Sequence, residues 1–320
     1  MPQIQIKVLK HTKFAKPSEF PEDFLNTMEE ALRFHPDLAL IANPATFHIE
    51  SAQKLAEAGI HLLIEKPIST KTIGIEDLIR TCKKNKVVLM TGYNLRFSSS
   101  LIHFRELVNK KIVGNILSVR CEVGQYLPDW RPNEDYRLTV SANDRLGGGV
   151  LLELSHEIDY LRWIFGEVAW VRATLSRQSS LEIDVEDTAH LILGFEPNSK
   201  GNQLIANLNL DFIRRDRTRS CTLIGETGTL RWNGLNGIVD IYRENSENWE
   251  VLFTHHPDTD ETLLAEWTNF LESIKKIAEP LVTGVDGLRV LEIIQAGRKS
   301  APTGSQVMVY KSPLQIVTSP

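Results

Sequence analysis

Over the first ~115 residues, short apolar runs alternate with stretches whose apolar positions recur every three to four residues, the pattern of strands and helices taking turns around a parallel sheet. Residues 3–9 alternate as a strand does, and 21–34 have helical period. A buried strand over 38–42 leads to a helix over 47–58, a strand over 60–64, a helix over 73–84, a strand over 86–91 and a helix over 98–110. Strand–helix units in series predict a doubly wound α/β domain.

Near Gly114 the texture changes. Strand-like runs over 116–127, 168–178, 187–196, 203–213, 217–225, 228–233 and 237–243 are separated by polar turns, which predicts an α+β unit with an open antiparallel sheet. One helix, over 149–165, is inserted among them. Amphipathic helices over 260–277 and 284–299 are expected to pack back on one of the domains, and from Pro302 on the chain reads as a weakly anchored tail. The expected organisation is therefore a Rossmann-like domain in 1–115, a substrate and oligomerisation domain in 116–300 and a tail in 301–320. An uncovered face of the antiparallel sheet would be a natural surface for a homo-oligomer.

Composition narrows the partners. The 320 residues carry a formal charge of −5 with 42% apolar and 24% charged residues, so no uniformly basic face is available for nucleic acid or a membrane surface, and a small-molecule ligand is favoured. Cys82, Cys121 and Cys221 match neither a disulfide framework nor a zinc pattern, which suits a reducing cytoplasm. No apolar run reaches the length of a membrane span.

Ligands of open parallel sheets bind at the carboxyl ends of the strands. The strand over 38–42 runs into Asn43-Pro44-Ala-Thr46-Phe-His48, where Thr46 is placed to cap the next helix. The strand over 60–64 ends in Glu65-Lys66-Pro67, which can present the Lys66 ammonium to a cleft, although taken alone the lysine reads more simply as a solvated loop residue. The strand over 86–91 delivers Tyr93, Asn94 and Arg96, a wall of hydrogen-bonding groups. In the second half, Gly147-Gly148-Gly149 opens the inserted helix and allows close approach of a ligand or another domain. On that helix Glu153, His156 and Tyr160 share a face, and Glu153 or Asp159 is placed to orient the imidazole for acid–base work. The irregular segment with Asp129, Trp130 and Arg131 has the rings and charges that a sugar or polyol site uses. Glu153-x-x-His156 has no second copy, so a carboxylate-bridged metal pair is rejected, and His255-His256-Pro257-Asp258 reads as a solvated loop; no metal is expected.

Taken in order and spacing, Asn43-Pro-Ala-Thr-Phe-His48, Glu65-Lys-Pro67, Gly92-Tyr-Asn94 and the triple-glycine helix with His156 resemble the Gfo/Idh/MocA oxidoreductases over residues 37–300. The resemblance implies NAD or NADP in a cleft between a Rossmann domain and an open sheet, acting on a secondary alcohol of a sugar, cyclitol or sugar nucleotide. It makes Lys66 the group that positions the reacting oxygen and His156 the acid/base. It makes Asn43, Pro44, Thr46, His48, Glu65 and Asn94 part of the cofactor cradle, and Tyr93, Arg96, Asp129, Trp130, Arg131, Glu153, Asp159 and Tyr160 candidate substrate contacts. Many members carry an aspartate four residues before the histidine, where this chain has Leu152. The family's opening Gly-x-Gly-x-x-Gly turn is also not found, so the expectation is a chain that starts at the second strand, lacks roughly 30 residues of the βαβ unit and dissolves poorly. Lys10-His11-Thr12-Lys13 stands where NAD-specific folds place an acid, which leans toward NADP. A sugar- or nucleotide-binding sensor or assembly subunit that keeps the fold without turnover is the alternative.

Overall fold

The computed structural model describes residues 4–10, 24–256, 258 and 260–313. At the start, β1 (Val8–Leu9) pairs in parallel with β2 (Phe24–Leu25), and α1 (Met28–Phe34) follows. The first strand is thus shorter than the alternation over 3–9 suggests, and Ile4 and Ile6 lie exposed beside it. The helix expected over 21–34 begins only at Met28, because Thr27 caps it by accepting from the N–H of Glu30 at 3.2 Å while Phe24 and Leu25 pair with β1.

A three-stranded parallel sheet comes next, ordered β3 (Leu38–Ile41), β4 (His61–Glu65), β5 (Leu89–Gly92), and it is separate from the β1–β2 pair. The central strand buries Leu62 and Ile64 completely, which is what a continuous apolar run in a parallel sheet requires. Crossover helices α2 (His48–Glu57) and α3 (Ile75–Asn85) follow β3 and β4. α4 (Ser99–Asn109) packs elsewhere than expected: Trp232 donates its indole N–H to Ser100 Oγ at 2.9 Å and His103 stacks on Phe253 at 4.6 Å. These contacts put α4 with the second sheet, ahead of the boundary expected near residue 115.

The second sheet uses β6 (Ile116–Gly124), β7 (Val168–Ser176), β8 (Thr188–Phe195), β9 (Ile205–Asp211), β10 (Thr218–Gly225), β11 (Gly228–Asn233), β12 (Ile238–Arg243), β13 (Glu250–Thr254) and β14 (Val307–Met308). Their order is β13-β12-β11-β10-β6-β9-β8-β7-β14, antiparallel at every pairing except β6 with β9. The sheet is therefore mixed at one seam and otherwise as expected. Period-two alternation buries Val171, Ala173, Leu191, Leu193 and Leu208 on one face and leaves Arg172, Thr174, His190, Ile192, Asn207 and Asn209 on the other. The inner face is covered by α5 (Val150–Glu153), α6 (His156–Phe165) and α8 (Gly284–Ser300), while α7 (Glu261–Ile274) buries Phe270 against Leu63 and Met90 of the parallel sheet.

α8 ties the two sheets together. A Cβ on its Gly287 would lie 2.7 Å from Thr91 Oγ1 of β5, so the glycine sets how closely that helix meets the parallel sheet. The segment after Pro302 is not a loose tail as far as it is described. β14 extends the sheet along β7, Arg289 donates to the carbonyl of Ser312 at 3.0 Å, and Ser312 N–H donates to Glu292 at 2.8 Å. Among the described residues no helix is long and apolar enough to cross a membrane.

Candidate active site

The carboxyl ends of β3, β4 and β5 face the start of α6, and the arrangement depends on an interruption that helical periodicity hides. The stretch expected as one helix over 149–165 breaks at Leu154, whose φ of −101° and ψ of 27° end α5. The carbonyl of Glu153 leaves the helical ladder and accepts from Lys66 Nζ at 2.8 Å. Lys66 is thereby pinned by a residue of the other half, and His156 becomes the first residue of α6. The triple glycine serves this docking. A Cβ on Gly147, where φ is +90°, would lie 2.4 Å from Thr70 Cγ2, and one on Gly149, where φ is +101°, would lie 2.6 Å from Glu186 Oε1. The close approach anticipated at these glycines is therefore that of protein groups, with Thr70 coming from the parallel-sheet half.

Between the two halves opens a cleft of about 300 Å³ whose lining includes Lys66, Asn94, Trp130, Glu153, His156 and Arg219. His156 packs against the Tyr93 ring edge-on at 5.5 Å, and its Nδ1 is buried without a hydrogen-bond partner among the described residues. The orienting carboxylate expected from Glu153 or Asp159 is not in place: Glu153 accepts from Ser141 Oγ at 3.0 Å, and Asp159 is engaged elsewhere. Burial, then the charges of Lys66 and Arg219, hold the imidazole well below its ordinary value, so it stays neutral at neutral pH. Lys66 and His156 both line this cleft.

Other expected contacts have structural duties. Arg96 and Asp159 are both buried and bonded to each other, Nε to Oδ2 at 2.9 Å and Nη2 to Oδ1 at 2.6 Å, with Asp286 also 3.1 Å from Arg96 Nη2. They are not in the cleft, because an ion pair this enclosed spends its donors and acceptors internally. Tyr160 lies under the sheet with its hydroxyl 2.8 Å from Cys121 Sγ, and the Tyr93 hydroxyl donates to Ser155 Oγ at 3.3 Å. Asp129 and Arg131 are exposed, the latter 3.5 Å from Glu134. Thr46 makes no side-chain cap for the helix that follows. His48 is buried with Nε2 2.6 Å from the Asn43 carbonyl and Nδ1 3.0 Å from the Pro67 carbonyl, bracing two strand ends against each other. Glu65 accepts from the N–H of Lys66 at 3.2 Å and packs beneath Gly92, and burial pushes its carboxyl up. Lys10 lies with its ammonium 3.7 Å from the Phe24 ring centre, and His11 lies outside the described residues.

The cleft also takes in Gln125, Arg217 and Arg219, which no motif marks, and beside it the buried Glu157 accepts from Arg219 Nε at 2.8 Å. The available signal was the run Arg214-Arg215-Asp216-Arg217-Thr218-Arg219 at a strand start. The residues at the strand ends fit the nicotinamide half of a dinucleotide. Asn43 Oδ1 is buried without a partner among the described residues, a need that a ribose hydroxyl or carboxamide N–H meets, and Pro44, Lys66 and Asn94 stand on the same or neighbouring strand ends. Among the described residues no group of three or more histidine, cysteine or carboxylate side chains has the spacing to hold a metal ion.

A parallel sheet whose strand ends meet a second, mostly antiparallel sheet across a polar cleft defines a two-domain oxidoreductase architecture. Residues 6–93 match the model of an oxidoreductase family's NAD-binding Rossmann fold, and residues 105–309 match that family's C-terminal alpha/beta domain. The chain belongs to this family, the Gfo/Idh/MocA oxidoreductases. It is 27% identical over 248 residues to an uncharacterized oxidoreductase of Synechocystis, a match spanning 71% of this chain and 64% of that protein, less than two thirds of the relative's length. It is 25% identical over 274 residues to the myo-inositol 2-dehydrogenase of Thermotoga maritima, spanning 82% of this chain and 77% of the relative. The solved structure of levoglucosan dehydrogenase in complex with NADH and levoglucosan has the same fold, with a TM-score of 0.77, 21% identity and coverage of 91% of this chain and 85% of that one.

Proposed function

We propose that this protein is an NAD-dependent dehydrogenase or reductase that acts on a secondary alcohol, or the matching ketone, of a sugar, cyclitol or sugar nucleotide. The single observation that carries the reading is that Lys66 and His156, from different halves, line one cleft, with Lys66 fixed there by the Glu153 carbonyl. The bound cofactor would supply the hydride acceptor or donor. The chain supplies proton management. A neutral His156 takes the hydroxyl proton, and the Lys66 ammonium, with one of its three donors given to Glu153, hydrogen-bonds the oxygen as negative charge builds on it. Asn43, Pro44 and Asn94 would hold the nicotinamide end, and Glu153 and Trp130 would contact the sugar.

NAD is favoured over NADP in this reading, since the matching family model is that of an NAD-binding domain and the solved levoglucosan dehydrogenase holds NADH. Three buried free thiols suit a reducing compartment, and assembly of a homo-oligomer through the open face of the nine-stranded sheet is part of the proposal. The test is a screen of NADH formation over sugars, polyols and sugar nucleotides, followed by Lys66→Ala and His156→Ala on whichever substrate turns over. Each replacement should cut kcat by roughly 100- to 10,000-fold with an unchanged circular dichroism spectrum. Near-normal rates in both variants would sink the assignment, and NADH binding without turnover on any member of the panel would leave a sensor in its place.

A further inference from the structure

The run between β9 and β10 carries three arginines, a fourth follows as the second residue of β10, and the four have different fates. Arg214 is neutralised by Glu122 at 3.2 Å and Asp216 at 3.2 Å. Arg215 lies over the Tyr126 ring, 3.5 Å from its centre. Arg219 gives its Nε to Glu157, while its two Nη groups have no partner among the described residues, and Arg217 has none there either. Both Arg217 and Arg219 line the cleft of Lys66 and His156. The backbone that presents them is built: Asp211 Oδ1 accepts from the N–H groups of Ile213 at 3.1 Å and Arg214 at 2.9 Å. Gly124 makes room for this, since a Cβ there would lie 2.3 Å from Asp211 Oδ2 and 2.6 Å from Arg214 Cδ.

The charges of the lining are unbalanced. Lys66, Arg217 and Arg219 are met by two carboxylates, Glu153 in the lining and Glu157 bonded to Arg219, which leaves one positive charge in excess. A neutral polyol offers no countercharge to that excess, whereas a planar or tetrahedral oxyanion matches it in charge and matches the unspent guanidinium donors in geometry. We infer that the substrate is an anionic sugar, whose carboxylate or phosphate oxygens are received by Arg217 and the Nη groups of Arg219 while Lys66 and His156 hold the alcohol that reacts. The inference rests on the hydride-transfer reading of the cleft and adds the class of substrate to it.

The test is calorimetric titration of the full chain with glucuronate, glucose 1-phosphate and UDP-glucuronate as anionic probes, and with glucose and myo-inositol as neutral ones. The arms separate a carboxylate from a phosphomonoester and from a nucleotide diphosphate as the source of the charge. At least one anionic probe should bind roughly tenfold or more tightly than glucose. Arg217→Gln should raise that probe's Kd by roughly tenfold to a hundredfold, Arg217→Lys should recover part of the loss, and the neutral sugars should not distinguish the variants. Arg217 is exposed, so its replacement leaves the fold intact, unlike that of Arg219 with its bond to buried Glu157. Neutral sugars binding as tightly as every anionic probe, or an unchanged Kd in Arg217→Gln, would overturn the inference. Turnover of neutral sugars together with an indifferent Arg217→Gln removes the anionic substrate and leaves the dehydrogenase. Arg217-dependent binding with no NADH formed removes the dehydrogenase and leaves the anion site.

Discussion

Glu266 on α7 is buried with Oε1 unpartnered among the described residues, and its carboxyl is pushed up to about 8, by desolvation first and then by the carboxylates of Glu65 and Asp159. In the unfolded chain the same group ionises near 4.5. As pH rises from 4.5 toward 8 the unfolded chain releases this proton while the folded one keeps it, so Glu266 costs stability progressively across that window. Glu266→Gln removes the ionisation and should raise stability at about pH 9 by on the order of 2–4 kcal/mol, with little change near pH 5. Denaturant titration at the two pH values checks it, and equal effects at both would show that the group is not protonated in the fold. His156 has the opposite sign. Its folded value lies below 6.5, so the unfolded chain takes the proton first as pH falls through that value, and acid destabilises the fold. None of this is legible in sequence, because Glu266 and His156 are ordinary residues of amphipathic helices until their surroundings desolvate them.

The element that decides the site is the interrupted helix α5–α6. Its apolar positions run on without a gap, yet the helix breaks at Leu154 and the Glu153 carbonyl accepts from Lys66, 87 residues away. The glycines before it were readable as a place of close approach, and what approaches was not. Gly147→Ala should therefore destabilise the chain by two separable amounts: about 1–2 kcal/mol for a non-glycine residue at positive φ, and about 1–3 kcal/mol for forcing Cβ against Thr70 Cγ2. Thr70→Ala in the same chain should recover the second amount and not the first. A double-mutant cycle by chemical denaturation reads the coupling, and strict additivity of the two changes would show that the halves do not meet at these residues.

At the scale of the whole molecule, a buried ion cluster adds to the ties that α7, α8 and Lys66 make between the halves. Arg96, from the end of β5, binds Asp159 on α6 and Asp286 on α8, while Arg162 of α6 shares Asp286 at 2.7 Å. Among the described residues nothing covers the outer face of the nine-stranded sheet around β7–β9: Ile192 stands opposite Arg172 and Asn207, and Ile205 opposite Gly194. If that face joins two copies, Ile192→Glu should shift sedimentation at micromolar concentration from oligomer to monomer while the circular dichroism spectrum stays unchanged. A wild-type chain that sediments as a monomer would remove the proposed assembly.

Local periodicity in the sequence was enough to establish the alternation of strand and helix over β3–β5, the switch to short strands after Gly114, and the strand-end positions of Asn43, Lys66 and Asn94, because apolar spacing and turn residues act over a few neighbours. Tertiary structure alone decided that α5 stops at Glu153, that Arg96 and Asp159 neutralise each other, that Arg217 and Arg219 enter the cleft, and that the segment after Pro302 joins the sheet. Each of these is a choice of partner between residues far apart in the chain. Which carbonyl, carboxylate or strand edge wins depends on burial and distance, and periodicity encodes neither.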